Sequence, residues 1–259
     1  MKTSISKLAA AIVVIVIVVI AIYYLKPDIS ARQNANISAI ASVLPQTDDS
    51  GLAPLEIKLP KPMFVGTEKP IRVGNLRKLS LGDRPLFPAP VGTINVALGK
   101  PVSSSDDAPI IGEIEMITDG DKEAADGSYI ELGPFTQHVT IDLEAEYNIY
   151  AVVIWHFHQE PRVYFDVVVQ VSDDPDFKTN VRTLFNNDID NSAGLGVGED
   201  MHYIETYEGE LIDCFSQGIK ARYVRLYSNG NTANDLNHYI EVEVYGKPAK
   251  SAQAMYPLP

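Results

Sequence analysis

Apolar residues at every second position, in one short run after another, restrict the folded part of this chain to β-structure. In residues 220–246 (KARYVRLYSNGNTANDLNHYIEVEVYG), Val224 and Leu226 fall on one face of a first strand. Ile240, Val242 and Val244 fall on one face of a second, and an Asn/Gly-rich loop separates the two. Period-two alternation describes strands with one buried and one wet face. Earlier runs repeat the signal at short spacing: 139–143 (VTIDL), 149–155 (IYAVVIW), 163–171 (VYFDVVVQV), 181–185 and 202–206. With no long amphipathic helix among them, they predict an all-β sandwich.

The opening NVALGKPVSSS at 95–105, paired with the closing ARYVRL and EVEVYG, resembles the discoidin family (coagulation factor V/VIII type C domains) over residues 93–247. The resemblance implies a jelly-roll sandwich of about eight antiparallel strands, galactose-binding-like in type. It also implies a binding module rather than an enzyme. Eukaryotic extracellular members commonly carry a disulfide, which this chain cannot form within itself because Cys214 is its only cysteine. A bacterial cell envelope fits that departure better.

Charge narrows the partners. Residues 91–250 hold 28 Asp/Glu against 10 Lys/Arg. So acidic a domain repels phosphate backbones, whose capture depends on Lys and Arg displacing counterions. Nucleic acid is therefore not an expected partner. The acidity suits solubility and divalent cations alike.

Residues 8–25 (LAAAIVVIVIVVIAIYYL) carry no charge. As a helix they would extend roughly 27 Å, close to the hydrocarbon thickness of a bilayer. A cleaved signal peptide has a shorter apolar core and a small-x-small site. Here YYLKPD follows directly, and Ile29-Ser30-Ala31 is a weak site further on. The expectation is an uncleaved anchor over 1–25, with a cytoplasmic N-terminus and the remainder periplasmic or extracellular. Residues 26–92 are rich in proline, which predicts an extended, semi-stiff linker. Short pieces such as LEIKL at 55–59 alternate and could pair onto the sandwich edge. Residues 248–259 are expected to be a disordered tail.

Three places could carry chemistry. In MITDGDKEAADGSYIEL (116–132), Asp119 and Asp121 flank Gly120, and a tight turn there would let carbonyl and carboxylate oxygens converge as calcium requires. The resemblance implies a structural Ca2+ held by Asp119 and Asp121, with oxygens near Asp126 or Ser128 and a closing ligand at Glu241. The family's tryptophan in this loop is missing, and Tyr129 stands nearest. A solvated acidic turn is the plain alternative. In DIDNSAGLGVGE (188–199), Asp188, Asp190, Ser192 and Glu199 echo EF-hand spacing. Ala193 replaces the glycine at position six, however, and no helices flank the loop. The same stretch has Gly194-x-Gly196-x-Gly198 without a P-loop lysine. A glycine-rich surface loop is expected there.

The third place is WHFHQEPR at 155–162. With Trp155 in the core, His156 and His158 would start a zinc site only if further ligands joined them, and spacing nominates none. In sugar-binding relatives the loops at one end of the sandwich make the recognition surface. The resemblance thus implies a carbohydrate site from Arg162 with His156 or His158, Tyr129, and Asn229, Asn231 and Asn234. Planar donors for hydroxyls and an aromatic face for ring C–H groups are what a sugar needs. Each residue taken singly could be an ordinary polar loop residue.

No G-x-S-x-G elbow, HExxH helix or Cys-His arrangement occurs. The expectation is a non-catalytic, membrane-tethered module that binds a carbohydrate or glycoconjugate and is stabilised by calcium. A structural or adhesion domain docking another envelope protein is the rival.

Overall fold

The computed structural model describes residues 51–64, 66, 70–79, 84–214 and 217–249. These hold twelve strands and no α-helix: β1 (Leu52–Pro54), β2 (Pro88–Pro90), β3 (Ile94–Asn95), β4 (Val102–Ser104), β5 (Ile130–Leu132), β6 (Gln137–Trp155), β7 (Val168–Ser172), β8 (Arg182–Asn186), β9 (Glu210–Asp213), β10 (Ile219–Ser228), β11 (Asn237–Tyr239) and β12 (Glu241–Pro248). A short 3-10 helix at Ile114–Thr118 precedes the acidic turn. All strand pairs are antiparallel.

Eight strands form one sheet that folds over on itself through β6. The first half of β6 lies between β4 and β10, with Val139 opposite both Ser104 and Leu226. The second half lies between β12 and β9, with Ile154 opposite both Val242 and Glu210. The strand turns between the layers at exposed residues 144–146, where Glu144 takes a φ of 63°. The 139–143 and 149–155 runs therefore belong to one strand. Val139, Ile141, Leu143, Val152 and Ile154 meet Val169, Val171, Val224, Leu226, Val242 and Val244 in the main core.

Two other runs differ from expectation. The 163–171 stretch does not form one strand: Asp166 sits at a φ of 50° and Asn229 bonds to the Phe165 carbonyl, so β7 starts only at Val168. Residues 203–206 are an irregular buried segment, and the strand in that region is β9, a few residues later.

The outer face of β6 is covered as well. Ala151, Val153 and Trp155 form a second apolar cluster with Tyr245, Ile240 and Ala124, against which Leu55, Ile57, Phe87 and Leu211 pack. The β1–β2 ladder (Leu52 with Pro90, Pro54 with Pro88) fixes this cover. Residues 52–57 and 87–90 of the expected linker thus lie on the domain instead of standing off from it. Trp155 is fully buried, as expected, but in this outer cluster, and its indole N–H donates to the Tyr207 carbonyl at 2.9 Å. Gly209 turns beside it at a φ of 66°, where a Cβ would come within 2.8 Å of the indole ring. The expected tail begins later than residue 248, since Pro248 pairs with Tyr147 and Ala249 donates to the Glu146 carbonyl. The 8–25 segment lies outside the described residues; among those described, no helix is long and apolar enough to cross a membrane.

Trp155→Ala should cost about 3–5 kcal/mol, because it empties a site walled by two parts of the chain. Leu86→Ala, at a side chain 76% exposed, should cost under about 0.5 kcal/mol. Urea unfolding of both variants checks the contrast.

Candidate functional site

After the 3-10 helix, Gly120 adopts a φ of 90°, and its N–H donates to Glu241 Oε2 at 3.0 Å. Asp119 Oδ1 accepts from the Asp121 N–H at 2.7 Å, and Asp121 Oδ1 from the Glu123 N–H at 2.9 Å. Glu241 starts β12 opposite Trp155, fully buried, and its Oε1 has no partner. Burial, reinforced by the neighbouring Glu243 and Asp119 carboxylates, pushes its carboxyl up to about 9, against the pull of the Gly120 N–H. Glu243, two residues on, is fully engaged: Lys122 Nζ lies 2.6 Å from its Oε1, and Tyr245 donates to its Oε2 at 2.7 Å. Sequence reading missed this Lys122–Glu243–Tyr245 set, which no spacing links. Asp126 and Ser128 sit in the next turn, where Ser128 N–H donates to the Ala125 carbonyl; no hydrogen bond among the described residues joins them to Asp119, Asp121 or Glu241.

The proposed sugar residues divide. Tyr129 and Phe157 meet edge to face at 4.9 Å, and the Arg162 guanidinium lies 4.5 Å over the Phe157 ring. The loop carrying Asn234 is fastened next to Arg162, since Thr232 N–H donates to the Val163 carbonyl and Val163 N–H to Thr232 Oγ1. Tyr129, Arg162 and exposed Asn234 therefore gather at one end of the sandwich. Phe157 was not foreseen, although it sits between the two expected histidines.

The other four serve the fold. His156 and His158 are fully buried and cannot face a ligand. His156 stacks on Tyr164 at 4.3 Å and bonds through Nδ1 to Glu205 Oε2 at 3.0 Å, whereas His158 Nε2 bonds to the Lys122 carbonyl at 3.0 Å. Nor do the two rings start a zinc site, since each is buried and committed to a different partner. Asn231 is buried and organises its own turn, accepting from Ala233 N–H and donating to Asn234 Oδ1 and the Leu236 carbonyl. Asn229 donates to Asp166 Oδ2 at 2.8 Å.

In the 188–199 loop, oxygens of Asp188, Asp190 and Asp166 lie within 4.8 Å of one another. Asp188 is spent on backbone donors: Oδ1 accepts from Asp190 and Ser192, and Oδ2 from Ala193. Ser192 Oγ donates to Asp166 Oδ2 at 2.5 Å. Glu199 is exposed, and the loop closes on its own hydrogen bonds.

The His156–Glu205 contact has the distance of an ion pair but holds neutral partners. Burial lowers the imidazole to about 3 and raises the carboxyl to about 8. At neutral pH Glu205 therefore keeps its proton and donates it to Nδ1. The raised carboxyl gives stability that is complete below about 4.5 and lost as pH rises through about 8. The lowered imidazole gives stability complete above about 6.5 and lost as pH falls toward about 3. Between about pH 6.5 and 8, above the range where the imidazole acts in the opposite sense, the Glu205 loss should approach about 1.4 kcal/mol per pH unit. Glu205→Gln should flatten that slope in urea titrations; an unchanged slope would place the proton elsewhere.

No protein-family model matches the chain, and a search of curated proteins returns no match. Solved structures are similar at low identity. A family 89 glycoside hydrolase from Clostridium perfringens matches at 18% identity and TM-score 0.43, over 60% of this chain but only 15% of the hydrolase. A fucose-binding module from Streptococcus pneumoniae matches at 17% and 0.42, over 61% of this chain and 98% of the module. A chitosan-binding module of a chitosanase/glucanase from Paenibacillus sp. IK-5 matches at 19% and 0.39, over 59% and 99%. Carbohydrate-binding modules thus stand among the similar structures.

Proposed function

We propose that this chain is a non-catalytic carbohydrate-binding module, held at a membrane by residues 8–25 and exposed on the outer side. The observation that carries the binding part is the loop-end group of Tyr129, Phe157 and Arg162. Phe157 is buried beneath the Arg162 guanidinium, so Arg162 supplies the donors and the half-buried Tyr129 ring beside it the C–H-binding face. Asn234, exposed on the adjoining loop, adds an amide. The glycan would lie across this end while the sandwich below stays rigid. Full-length protein in detergent should bind on a glycan array, and Arg162→Ala or Tyr129→Ala should weaken that binding at least tenfold. Wild-type protein that retains no glycan, or variants that bind equally well, would end the proposal.

A calcium ion is the second part of the proposal: the acidic turn would have to close around it, since the Asp119, Asp121 and Glu241 oxygens do not converge as those of Asp166, Asp188 and Asp190 do. The buried Glu241 Oε1 beside Asp119 has no partner, and a cation there would displace the proton that burial holds on this carboxyl. Glu241, Asp119 and Asp121 would hold the ion, with Asp126 and Ser128 next along the loop. Its charge would compensate a carboxylate that is otherwise costly to bury. A ligand bound only by the folded state stabilises it by about 2.7 kcal/mol at a hundred times its Kd. Adding calcium should therefore raise the melting temperature, and Glu241→Gln should remove most of that rise. A full rise in the variant would place the ion elsewhere.

A further inference from the structure

A cavity of about 600 Å3 is lined by Pro62, Phe64, Gly66 and residues 77–79 and 84–87 on one side and by residues 203, 204 and 206–211 on the other. Half of its wall precedes residue 93, outside the stretch that resembles the discoidin family. It shares no lining residue with the Tyr129–Phe157–Arg162 group. Its volume is that of a small-molecule site.

The lining has a definite chemistry. Arg77 spends its fork on Glu210, at 2.9 Å and 2.5 Å, and lies 5.7 Å from the Tyr203 ring centre. Arg84 is only partly engaged. Its Nη2 donates to the carbonyls of Glu208 and Gly209, both at 2.5 Å, and its Nε stands 3.9 Å from a Glu208 carboxylate oxygen. Its Nη1 is shielded from water and has no partner. Leaving a guanidinium donor buried and unpaired is costly, and a turn of the Arg84 side chain that brought this donor to a ligand's acceptor in the cavity would remove that cost. Burial also lowers the Arg84 pKa, a sign that the surroundings favour a compensating negative charge.

The cavity's charged residues are Arg77, Lys78 and Arg84 against Glu208 and Glu210, one cation in excess within a strongly acidic domain. Phe64, Phe87, Tyr203 and Tyr207 give apolar ring faces, and Lys78 and Thr206 give polar edges. Flat apolar walls with a few donors and acceptors suit a pyranose ring, and the surplus guanidinium suits one acidic group on it.

We propose that this cavity is a second binding site, taking a saccharide unit that carries a carboxylate. The carboxylate meets Arg84, the ring lies along the aromatic wall, and Lys78 at the rim holds the ligand's outer oxygens. The site stands apart from the loop-end reading and survives its failure.

Calorimetry on the full chain in detergent tests this, with trigalacturonate as the acidic probe and galactotriose as its neutral counterpart. Trigalacturonate should bind, with galactotriose at least tenfold weaker. Arg84→Gln should weaken trigalacturonate at least tenfold, while Lys178→Gln, at an exposed cation that does not line the cavity, leaves it unchanged. Because Arg84 also ties down two carbonyls, Lys78→Gln is the second variant; its side chain is exposed, so its melting temperature should hold while acidic binding drops several-fold. Absence of trigalacturonate binding, neutral-trimer binding that Arg84→Gln weakens equally, or a loss as large in Lys178→Gln as in Arg84→Gln and Lys78→Gln would each overturn the proposal.

Discussion

From Ile149 to Trp155 no side chain of β6 reaches solvent, so this strand needs apolar cover on both faces. The inner face gets it from the opposite layer of the sandwich. The outer face gets it from chain that lies before residue 92, through Leu55, Ile57 and Phe87, and from Leu211. Most other features follow from that double burial. The 203–211 segment is held down on the indole through the Tyr207 carbonyl, and a cavity opens between it and the covering strip. His156 and His158, next along the chain, are buried by the same layering.

Two carboxylates show how such burial shapes polar chemistry. Glu241 and Glu205 each keep one oxygen bonded and one bare, and each holds its proton above the usual carboxylate range. Their settings differ. Glu205 faces a neutral imidazole deep in the protein and makes a closed pair. Glu241 lies beneath an acidic turn, where further oxygen donors are at hand. Glu243, with its lysine and tyrosine, shows the cost fully offset two residues away.

The alternating strands were legible in sequence wherever one face stays wet or merely half-covered, as at Val139, Ile141 and Leu143 or at Val224 and Leu226. At 149–155 the alternation fades into a continuous apolar run, since both faces are covered, and periodicity cannot say what covers the second. Asp166 looked like a strand residue because its left-handed backbone is set by contacts with residues more than twenty positions away. The pairing of Gly120 with Glu241 was reachable only through resemblance, because 121 residues separate them. Burial of His156 by Glu205, 49 residues on, left no mark in local spacing. The Arg84 cavity was invisible for a related reason, as proline-rich sequence reads as spacer until its few apolar residues find a surface.

The β1–β2 ladder has a mechanical side. Three of its six residues are prolines with no N–H to contribute, so few cross-strand bonds hold the covering strip in place. Tension entering the chain upstream of Gly51 would reach this ladder before it reached β6. The strip should peel away early and leave the indole as the first interior group to become wet, while the double layer behind it stays intact. In a pulling experiment that would register as a small, low-force step ahead of the main rupture, and a single rupture would rule it out.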